Sequence, residues 1–289
     1  MAVLATRVWE PGAANSEPPA RTSASGSPPA APPVSDGRPV ALVIHGITSS
    51  SRTWWQVAPV LAKWGYQVVG VDLRGHGGSP RIEDGLGLAD LAADVAETVG
   101  VSIGRPVELL VGHSLGALVA LEAFREGHEL AERLALEDPP GPSGIDWVGF
   151  ADGIEQDGAR ARGDPDGLRR QLLAENPAWP PYEVERQLAD LSELDAAAIA
   201  AALRGSQGMA YDLAALASTA TAPALLLLAE ESLGSNLVGA DRSAFLDALP
   251  DPTTRVLPTG HSVHREALRD YLAALDDWLP AGARPSDRT

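Results

Sequence analysis

Short runs of consecutive apolar residues recur along the chain, and each run has the length of one β-strand. Such runs indicate strands that are buried on both faces, as in a parallel sheet covered by helices. They lie at 40–44, 67–71, 107–111, 133–136, 224–228 and 254–257, and segment 3–9 is predicted to be an edge strand. Apolar residues at helical spacing predict helices over 53–63, 88–99, 117–126 and 265–279. This alternation predicts an α/β fold with a mostly parallel, doubly wound sheet.

One long segment interrupts the alternation of strands and helices. Residues 142–218 contain several helical patterns and no convincing strand, and apolar runs lie on both sides of them. Because those runs need one another to form a sheet, we interpret the segment as a helical cap inserted into the core. The predicted division is an edge strand of the core (1–11), a flexible Pro-, Ala- and Ser-rich loop (12–38), the first core part (39–141), the cap (142–218), the second core part (219–280) and a flexible tail (281–289).

The composition excludes several classes of function. The 289 residues carry a formal net charge of −17, whereas a nucleic-acid-binding protein needs a basic surface for the phosphates. The absence of cysteine excludes disulfides, thiolate zinc sites and a cysteine nucleophile. No apolar run reaches the roughly 18 residues of a membrane span, and the first residues lack the pattern of a signal peptide. We therefore expect a cytoplasmic protein whose partner is a small molecule rather than nucleic acid or membrane.

The sequence GHSLG lies between a predicted strand and a predicted helix, at Gly112 to Gly116. This context is typical of a nucleophile elbow, a tight turn that raises a serine hydroxyl above the end of the sheet. The two glycines remove side chains that would collide on such a turn, and the helix N-terminus favours a developing anion. The motif predicts that Ser114 is a nucleophile.

A serine hydroxyl needs a base, and a late histidine is the candidate. His261 follows the last predicted strand and precedes the closing helix, so we predict that it is the base. His264 lies three residues on and is expected to be a solvent-facing or capping residue. The spacing of this pair also fits two metal ligands, but no third ligand has supporting spacing. We therefore predict no metal and no cofactor.

Several segments together resemble the α/β-hydrolase family, and in particular its esterases, lipases and lactonases. The segments are HGITSSSRTWW, DLRGHGGSP, GHSLGALVALE and GHSVHRE. The resemblance implies that the backbone N–H groups of Ile47 and Leu115 form the oxyanion hole, with His45 and Gly46 shaping the first loop. The glycine-rich DLRGHGGSP lacks the pattern of a nucleotide-binding loop, so we interpret it as structural.

The carboxylate that orients the histidine is less clear from the sequence. The family usually places an aspartate after the strand that follows the cap, but that strand reads ALLLLAEESLGSN, which offers Glu230 and Glu231 instead. Some members carry the acid on the preceding strand, where LALEDPPG places Asp138. We favour Asp138, with Glu230 and Glu231 as alternatives, followed by Glu137 and Asp241.

The predicted substrate pocket combines the first loop with aromatic residues of the cap. Its members are expected to be His45, Gly46, Trp54, Trp147, Trp179 and Tyr182. The predicted function is hydrolysis of an apolar carboxylic ester or lactone. A serine at the elbow argues against epoxide hydrolases and haloalkane dehalogenases of this fold, which use an aspartate there. Amide, thioester and carbon–carbon bond hydrolysis remain open, as do a non-hydrolytic binding protein and a cofactor-free lyase.

Overall fold

The computed structural model describes residues 1–10, 38–83, 85–143, 145–205 and 211–280. The predicted tail and all but the last residue of the predicted flexible loop lie outside these described residues. One sheet contains seven strands, β1 (Thr6–Trp9), β2 (Val40–Ile44), β3 (Gln67–Val71), β4 (Leu109–His113), β5 (Leu134–Glu137), β6 (Ala224–Ala229) and β7 (Thr253–Leu257).

The strand order is β1-β3-β2-β4-β5-β6-β7. Strand β1 runs antiparallel to β3 at one edge, and the remaining neighbours are parallel, which confirms the predicted mostly parallel sheet. The chain moves from β2 to β3 on one side and then to β4 on the other. Open α/β sheets bind ligands at such a switch point, beyond the carboxyl ends of the strands. The order therefore directs attention to the ends of β2 and β4.

Helices cover both faces of the sheet because the strands are apolar on both faces. In β2, Leu42 and Ile44 pack into one hydrophobic cluster while Ala41 and Val43 pack into the other, and all four are fully buried. The α-helices are α1 (Val57–Lys63), α2 (Leu88–Ser102), α3 (Leu115–Arg125), α4 (Trp147–Gly163), α5 (Pro165–Glu175), α6 (Pro181–Glu193), α7 (Ala196–Arg204), α8 (Leu213–Ser218), α9 (Gly239–Ala248), α10 (Val263–Glu266) and α11 (Leu268–Trp278). Two 3₁₀ helices lie at Ser51–Trp55 and Glu231–Leu233.

Helices α4 to α7 (Trp147–Arg204), here called the helical insert, connect β5 to β6 through α8. Apolar residues on the inner faces of the insert, including Ile154, Val184 and Ile199, join the hydrophobic cluster that also contains α2 and α3. Helix α8, which the sequence placed in the same segment, packs against α3 and α9. In the part of the chain that the structure describes, no helix is both long and apolar enough to cross a bilayer.

Candidate active site

A sharp turn between β4 and α3 carries Ser114. Its backbone has φ 52° and ψ −116°, a combination that is strained for a residue other than glycine. A Cβ atom at Gly112 would lie only 2.7 Å from the carbonyl oxygen of Gly116, and one at Gly116 would collide with the carbonyl of Ile44. The turn therefore forms only because both flanking positions lack side chains. It sets Ser114 at the N-terminal end of α3, where the helix dipole favours negative charge.

His261 lies beyond the end of β7, and a buried carboxylate holds its ring. Its Nδ1 is 2.7 Å from Oδ2 of Asp138, which directly follows β5 and is fully buried. Asp138 also accepts hydrogen bonds from the Ser235 hydroxyl at 2.6 Å and from the backbone N–H groups of Asn236 at 2.9 Å and Ala229 at 3.2 Å. These donors fix the carboxylate. A carboxylate on Nδ1 keeps the proton there and leaves Nε2 of His261 free to accept one.

The other candidate carboxylates contact different partners. Glu231 pairs with an arginine of α9 at 3.2 Å and accepts the Gly239 N–H. Asp241 accepts hydrogen bonds from the backbone and the side chain of Ser143. Glu230 directly precedes the 3₁₀ helix Glu231–Leu233, and its backbone N–H donates to the carbonyl oxygen of Thr259. Among the candidate acids, the hydrogen bond that the structure gives to the His261 ring belongs to Asp138.

His264 is not the solvent-facing or capping residue that the sequence predicted, because its side chain is only 2% exposed. Its Nδ1 donates to Glu137 at 2.8 Å, its Nε2 accepts from the Thr53 hydroxyl at 2.7 Å, and its ring stacks on Trp54. The short α10 turns this side chain beneath the 3₁₀ helix Ser51–Trp55, which seals it from solvent. Burial lowers the pKa of His264 to about 3, so the ring is neutral at pH 7.

Three ligand-type side chains lie together behind the site. The ligand-type atoms of His113, Glu137 and His264 lie within 4.8 Å of one another, and no other such group occurs among the described residues. Nδ1 of His264 faces the Glu137 carboxylate, and Nε2 of His113 lies 3.2 Å from the carbonyl oxygen of His261. Both nitrogens therefore carry protons that point at oxygen atoms, whereas a metal needs their lone pairs. The geometry fits a hydrogen-bond network better than a metal centre.

The two predicted oxyanion donors line the cavity that contains Ser114 and His261. Ile47 lies in the loop after β2, and Leu115 is the first residue of α3. The first N–H groups of a helix have no acceptor within the helix, so the Leu115 amide is suited to an external anion. Together with Ser114, the Ile47 and Leu115 amides can surround a carbonyl oxygen that becomes negatively charged.

The predicted structural loop DLRGHGGSP lies beneath the oxyanion loop, which we define as residues 45–50. His76 donates from Nε2 to the carbonyl oxygen of Ile47 at 2.7 Å, and Asp72 accepts the N–H of Ser51 at 2.7 Å. Arg74 instead pairs with Asp94 of α2 at 2.6 Å. This loop therefore supports the oxyanion loop from the side of the core.

The cavity over Ser114 has a volume of about 470 Å³ and largely apolar walls. The apolar residues that the helical insert contributes to these walls are Trp147, Phe150, Ile154, Leu172, Trp179 and Leu191. Of the six predicted pocket residues, Gly46, Trp147 and Trp179 line the cavity.

The other three predicted pocket residues lie elsewhere. His45 is fully buried and accepts the Leu73 N–H, because it turns under the oxyanion loop. Trp54 is fully buried in the core on the far side of the sheet from the insert. Tyr182 is 39% exposed and packs edge-on against Trp55. The prediction that these three residues line the substrate pocket is therefore corrected, since none of them belongs to the cavity wall and their contacts are structural.

Sequence reasoning missed several polar residues of the cavity wall, among them Gln187 and Arg265. Arg265 is 4% exposed, donates to Gln187 at 2.8 Å and lies 4.6 Å above the centre of the Trp179 ring. Its position directly after His264 was a weak signal, since arginine in that segment reads equally well as the start of an exposed helix. Gln187 had no signal, because its helix carries charged residues on most sides.

The family model described as "Alpha/beta hydrolase family" matches residues 41–275, which include Ser114, Asp138 and His261. The chain belongs to the alpha/beta hydrolase family. The match extends from β2 into α11 and therefore covers the whole sheet except its antiparallel edge strand.

Relatives within this family carry different names. The chain is 36% identical to epoxide hydrolase A of Mycobacterium tuberculosis over 89 residues. This matched segment covers 30% of this chain and 27% of the relative. It is 33% identical to N-formylmaleamate deformylase of Pseudomonas putida KT2440 over 132 residues. This segment covers 43% of this chain and 48% of the relative. The matched segments thus span about a quarter to a half of these curated relatives.

A solved structure extends the second of these similarities over most of the chain. The crystal structure of N-formylmaleamic acid deformylase from Pseudomonas putida S16 superposes with a TM-score of 0.66 at 26% identity. The superposition covers 83% of this chain and 92% of the deformylase. The chain therefore shares its overall fold with a known member of the family over most of its length.

Proposed function

We propose that this protein is a serine hydrolase that cleaves a carboxylic ester or lactone through an acyl-enzyme on Ser114. The observation that carries the proposal is the hydrogen bond between His261 and Asp138, at the cavity that also contains the strained Ser114 turn. Strain on a non-glycine residue needs support from the surrounding structure and is common at reactive sites.

The reaction follows from the positions of these groups. The Ser114 hydroxyl attacks the carbonyl carbon and gives its proton to Nε2 of His261, while Asp138 stabilises the resulting imidazolium. The amides of Ile47 and Leu115 stabilise the oxyanion, and removing one such donor typically costs about 10²–10³-fold in kcat. His261 then protonates the leaving oxygen. A water molecule attacks the acyl-enzyme by the same route and releases the acid and free Ser114.

The cavity supports a substrate with an apolar body and no net charge near the reacting carbon. Its walls are mainly aromatic and aliphatic, and the buried Arg265 is balanced by Glu183 at 3.6 Å. We propose that the helical insert acts as a cap that supplies this apolar wall. An ester or lactone of moderate size fits a cavity of about 470 Å³.

Hydrolysis of an amide-type C–N bond is a second candidate. It is favoured by the similarity to N-formylmaleamate deformylase and by the superposed deformylase structure. The similarity to epoxide hydrolase A is less persuasive, because the elbow here carries Ser114 and family members that open epoxides use an aspartate.

Labelling with a fluorophosphonate probe tests the nucleophile. We expect the parent chain to be labelled and Ser114→Ala to remain folded but unlabelled. A panel of p-nitrophenyl esters, lactones and formamides of graded length then distinguishes the two candidates.

A folded parent chain that never labels and turns over no member of the panel would reject the hydrolase. It would favour a non-hydrolytic binding protein or a cofactor-free lyase. Labelling combined with turnover of thioesters or carbon–carbon substrates only would keep the nucleophile and change the substrate class.

A further inference from the structure

Helix α6 of the insert buries a row of polar side chains. Glu183, Gln187 and Asp190 are 1%, 5% and 2% exposed, and their spacing places them on one face of the helix. Burial of polar groups is costly unless they form hydrogen bonds. The partners of this row are therefore informative, and they lie on the oxyanion loop and the 3₁₀ helix that follows it.

Asp190 and Gln187 bind the oxyanion loop directly. The carboxylate of Asp190 accepts the Ser50 hydroxyl at 2.6 Å and the Ser50 N–H at 3.1 Å. The side-chain amide of Gln187 donates to the carbonyl oxygen of Thr48 at 2.9 Å. Burial raises the pKa of Asp190 to about 6, and the nearby Arg52 at 3.2 Å favours the ionised form at neutral pH.

Arg265 connects the same helix to the segment that carries the base. Its guanidinium donates to Gln187 on α6, to the Ser49 hydroxyl at 3.0 Å and to the Thr53 hydroxyl at 2.9 Å. Because Arg265 lies four residues after His261, one buried side chain joins the insert, the oxyanion loop and the histidine segment.

These contacts bear on the direction of the Ile47 N–H. A peptide unit is planar, so the carbonyl of Gly46 and the N–H of Ile47 point in opposite, linked directions. The Gly46 carbonyl accepts the Ser49 N–H at 3.1 Å, and Ser49 lies between residues held by Gln187 and Asp190. Holding residues 48–50 in place therefore fixes the Gly46–Ile47 peptide unit and, with it, the direction of the Ile47 N–H.

We propose that the polar face of α6 positions the oxyanion loop, with Gln187 and Asp190 as positioning residues for the reaction. The inference rests on the proposed function. Both residues act through the backbone of residues 48–50 and need not touch the reacting atoms. On this view the insert does more than enclose the substrate, because it also sets the geometry of one oxyanion donor.

The variants Gln187→Met and Asp190→Asn test the proposal, and Glu185→Gln is the matched control. Glu185 lies on the same helix but pairs with Arg169 of the insert at 2.6 Å. We expect kcat/KM for the best ester to fall at least about 10-fold in both test variants, a fraction of the effect of losing one oxyanion donor. The control should stay within about twofold.

A second readout separates positioning from general destabilisation. A trifluoromethyl ketone forms a tetrahedral oxyanion on serine, whereas the corresponding alcohol occupies the same cavity without one. In Asp190→Asn, whose side chain lies outside the cavity wall, the inhibition constant of the ketone should rise by the same factor by which kcat/KM falls, and that of the alcohol should stay within about twofold. A variant that is merely less stable keeps both inhibition constants once it is assayed well below its melting temperature.

Unchanged kcat/KM, or equal loss of ketone and alcohol binding, would overturn the inference while leaving the proposed function intact. If Asp190→Asn does not fold, Gln187→Met decides by the ratio of its ketone to its alcohol inhibition constant, since Gln187 itself lines the cavity. A parent chain that neither hydrolyses the panel nor labels at Ser114 would overturn the proposed function, and this inference with it.

Discussion

Two histidine–carboxylate pairs lie side by side at the end of β5, and they differ mainly in what their second imidazole nitrogen faces. Asp138 holds His261 at 2.7 Å, and the preceding Glu137 holds His264 at 2.8 Å. The His261 side chain is 24% exposed and lines the cavity with Ser114, whereas that of His264 is 2% exposed and its Nε2 meets Thr53. The same chemical pair can thus support a reaction only where its free nitrogen faces a nucleophile and a substrate.

The difference also explains why the two carboxylates are held differently. Asp138 accepts hydrogen bonds from the last residue of β6 and from the loop that follows, and these donors fix the carboxylate while its Oδ2 still holds the imidazole. Glu137 accepts both the ring Nδ1–H and the backbone N–H of His264 and is completely buried, which raises its pKa. We interpret the inner pair as a structural support beneath the outer one.

The largest expected effect comes from removing the charge of Asp138 and of Glu137 in turn. Asp138→Asn should lower kcat by about 10³–10⁴-fold, because the amide favours the wrong tautomer of His261. Glu137→Gln should lower kcat by less than about 10-fold, since no reacting atom faces it. Steady-state kinetics on the best ester measures both. The opposite ranking, or an equal loss in Glu231→Gln, would show that the acid has been assigned to the wrong residue.

The second comparison concerns how much each histidine contributes to the stability of the fold. His264→Ala should lower the free energy of unfolding by about 3 kcal/mol, because it removes the imidazole that donates to the buried Glu137 and leaves a cavity beneath Trp54. His261→Ala should lower it by less than about 1 kcal/mol and abolish turnover. Urea unfolding followed by tryptophan fluorescence provides the measurement, with His264→Gln as the milder variant. Similar stability losses in the two alanine variants would remove the distinction between a structural and a reactive pair.

A smaller effect concerns the pH dependence of stability. The pKa of His264 is lowered by burial from 6.5 to about 3, so the unfolded chain binds the proton first as pH falls. Its contribution to stability is complete above pH 6.5 and is lost progressively toward pH 3, by about 2 kcal/mol between pH 6.5 and 5. The parent chain should therefore lose about that much more stability than His264→Gln over this interval. Urea unfolding of both proteins at pH 6.5 and pH 5 measures the difference. An equal loss of unfolding free energy in the two proteins would contradict a neutral buried ring.

The smallest expected effect is that of metal removal. Because Nδ1 of His264 and Nε2 of His113 donate hydrogen bonds to oxygen, overnight treatment with a chelator should leave turnover and melting temperature unchanged. Activity assays and thermal denaturation before and after dialysis provide the test. A loss of turnover or of melting temperature that zinc or another divalent ion restores would show that His113, Glu137 and His264 bind a metal.

Much of the outer pair could be predicted because it depends on local sequence. The nucleophile elbow requires glycine at both 112 and 116 for steric reasons, and a strand must precede it, so the motif could be recognised from a few adjacent residues. The apolar runs similarly determined a parallel sheet, since residues that are apolar on both faces must be covered on both faces. The position of His261 followed from its place after the last strand.

The inner pair, the acid and the polar face of α6 depended on the tertiary structure. Two candidate strand ends could each present a carboxylate, and their distances to one imidazole depend on how loops from β5, β6 and β7 pack together. His264 looked exposed because it lies three residues after His261, close to the start of a predicted helix, but the short turn of α10 buries it under Trp54. Gln187 and Asp190 look like solvated helix positions in the sequence, and only the docking of the insert onto the oxyanion loop gives them partners. The sequence by itself therefore determined the sheet and the sharp turn that carries Ser114 through local sterics and burial, whereas long-range packing decided which polar groups meet.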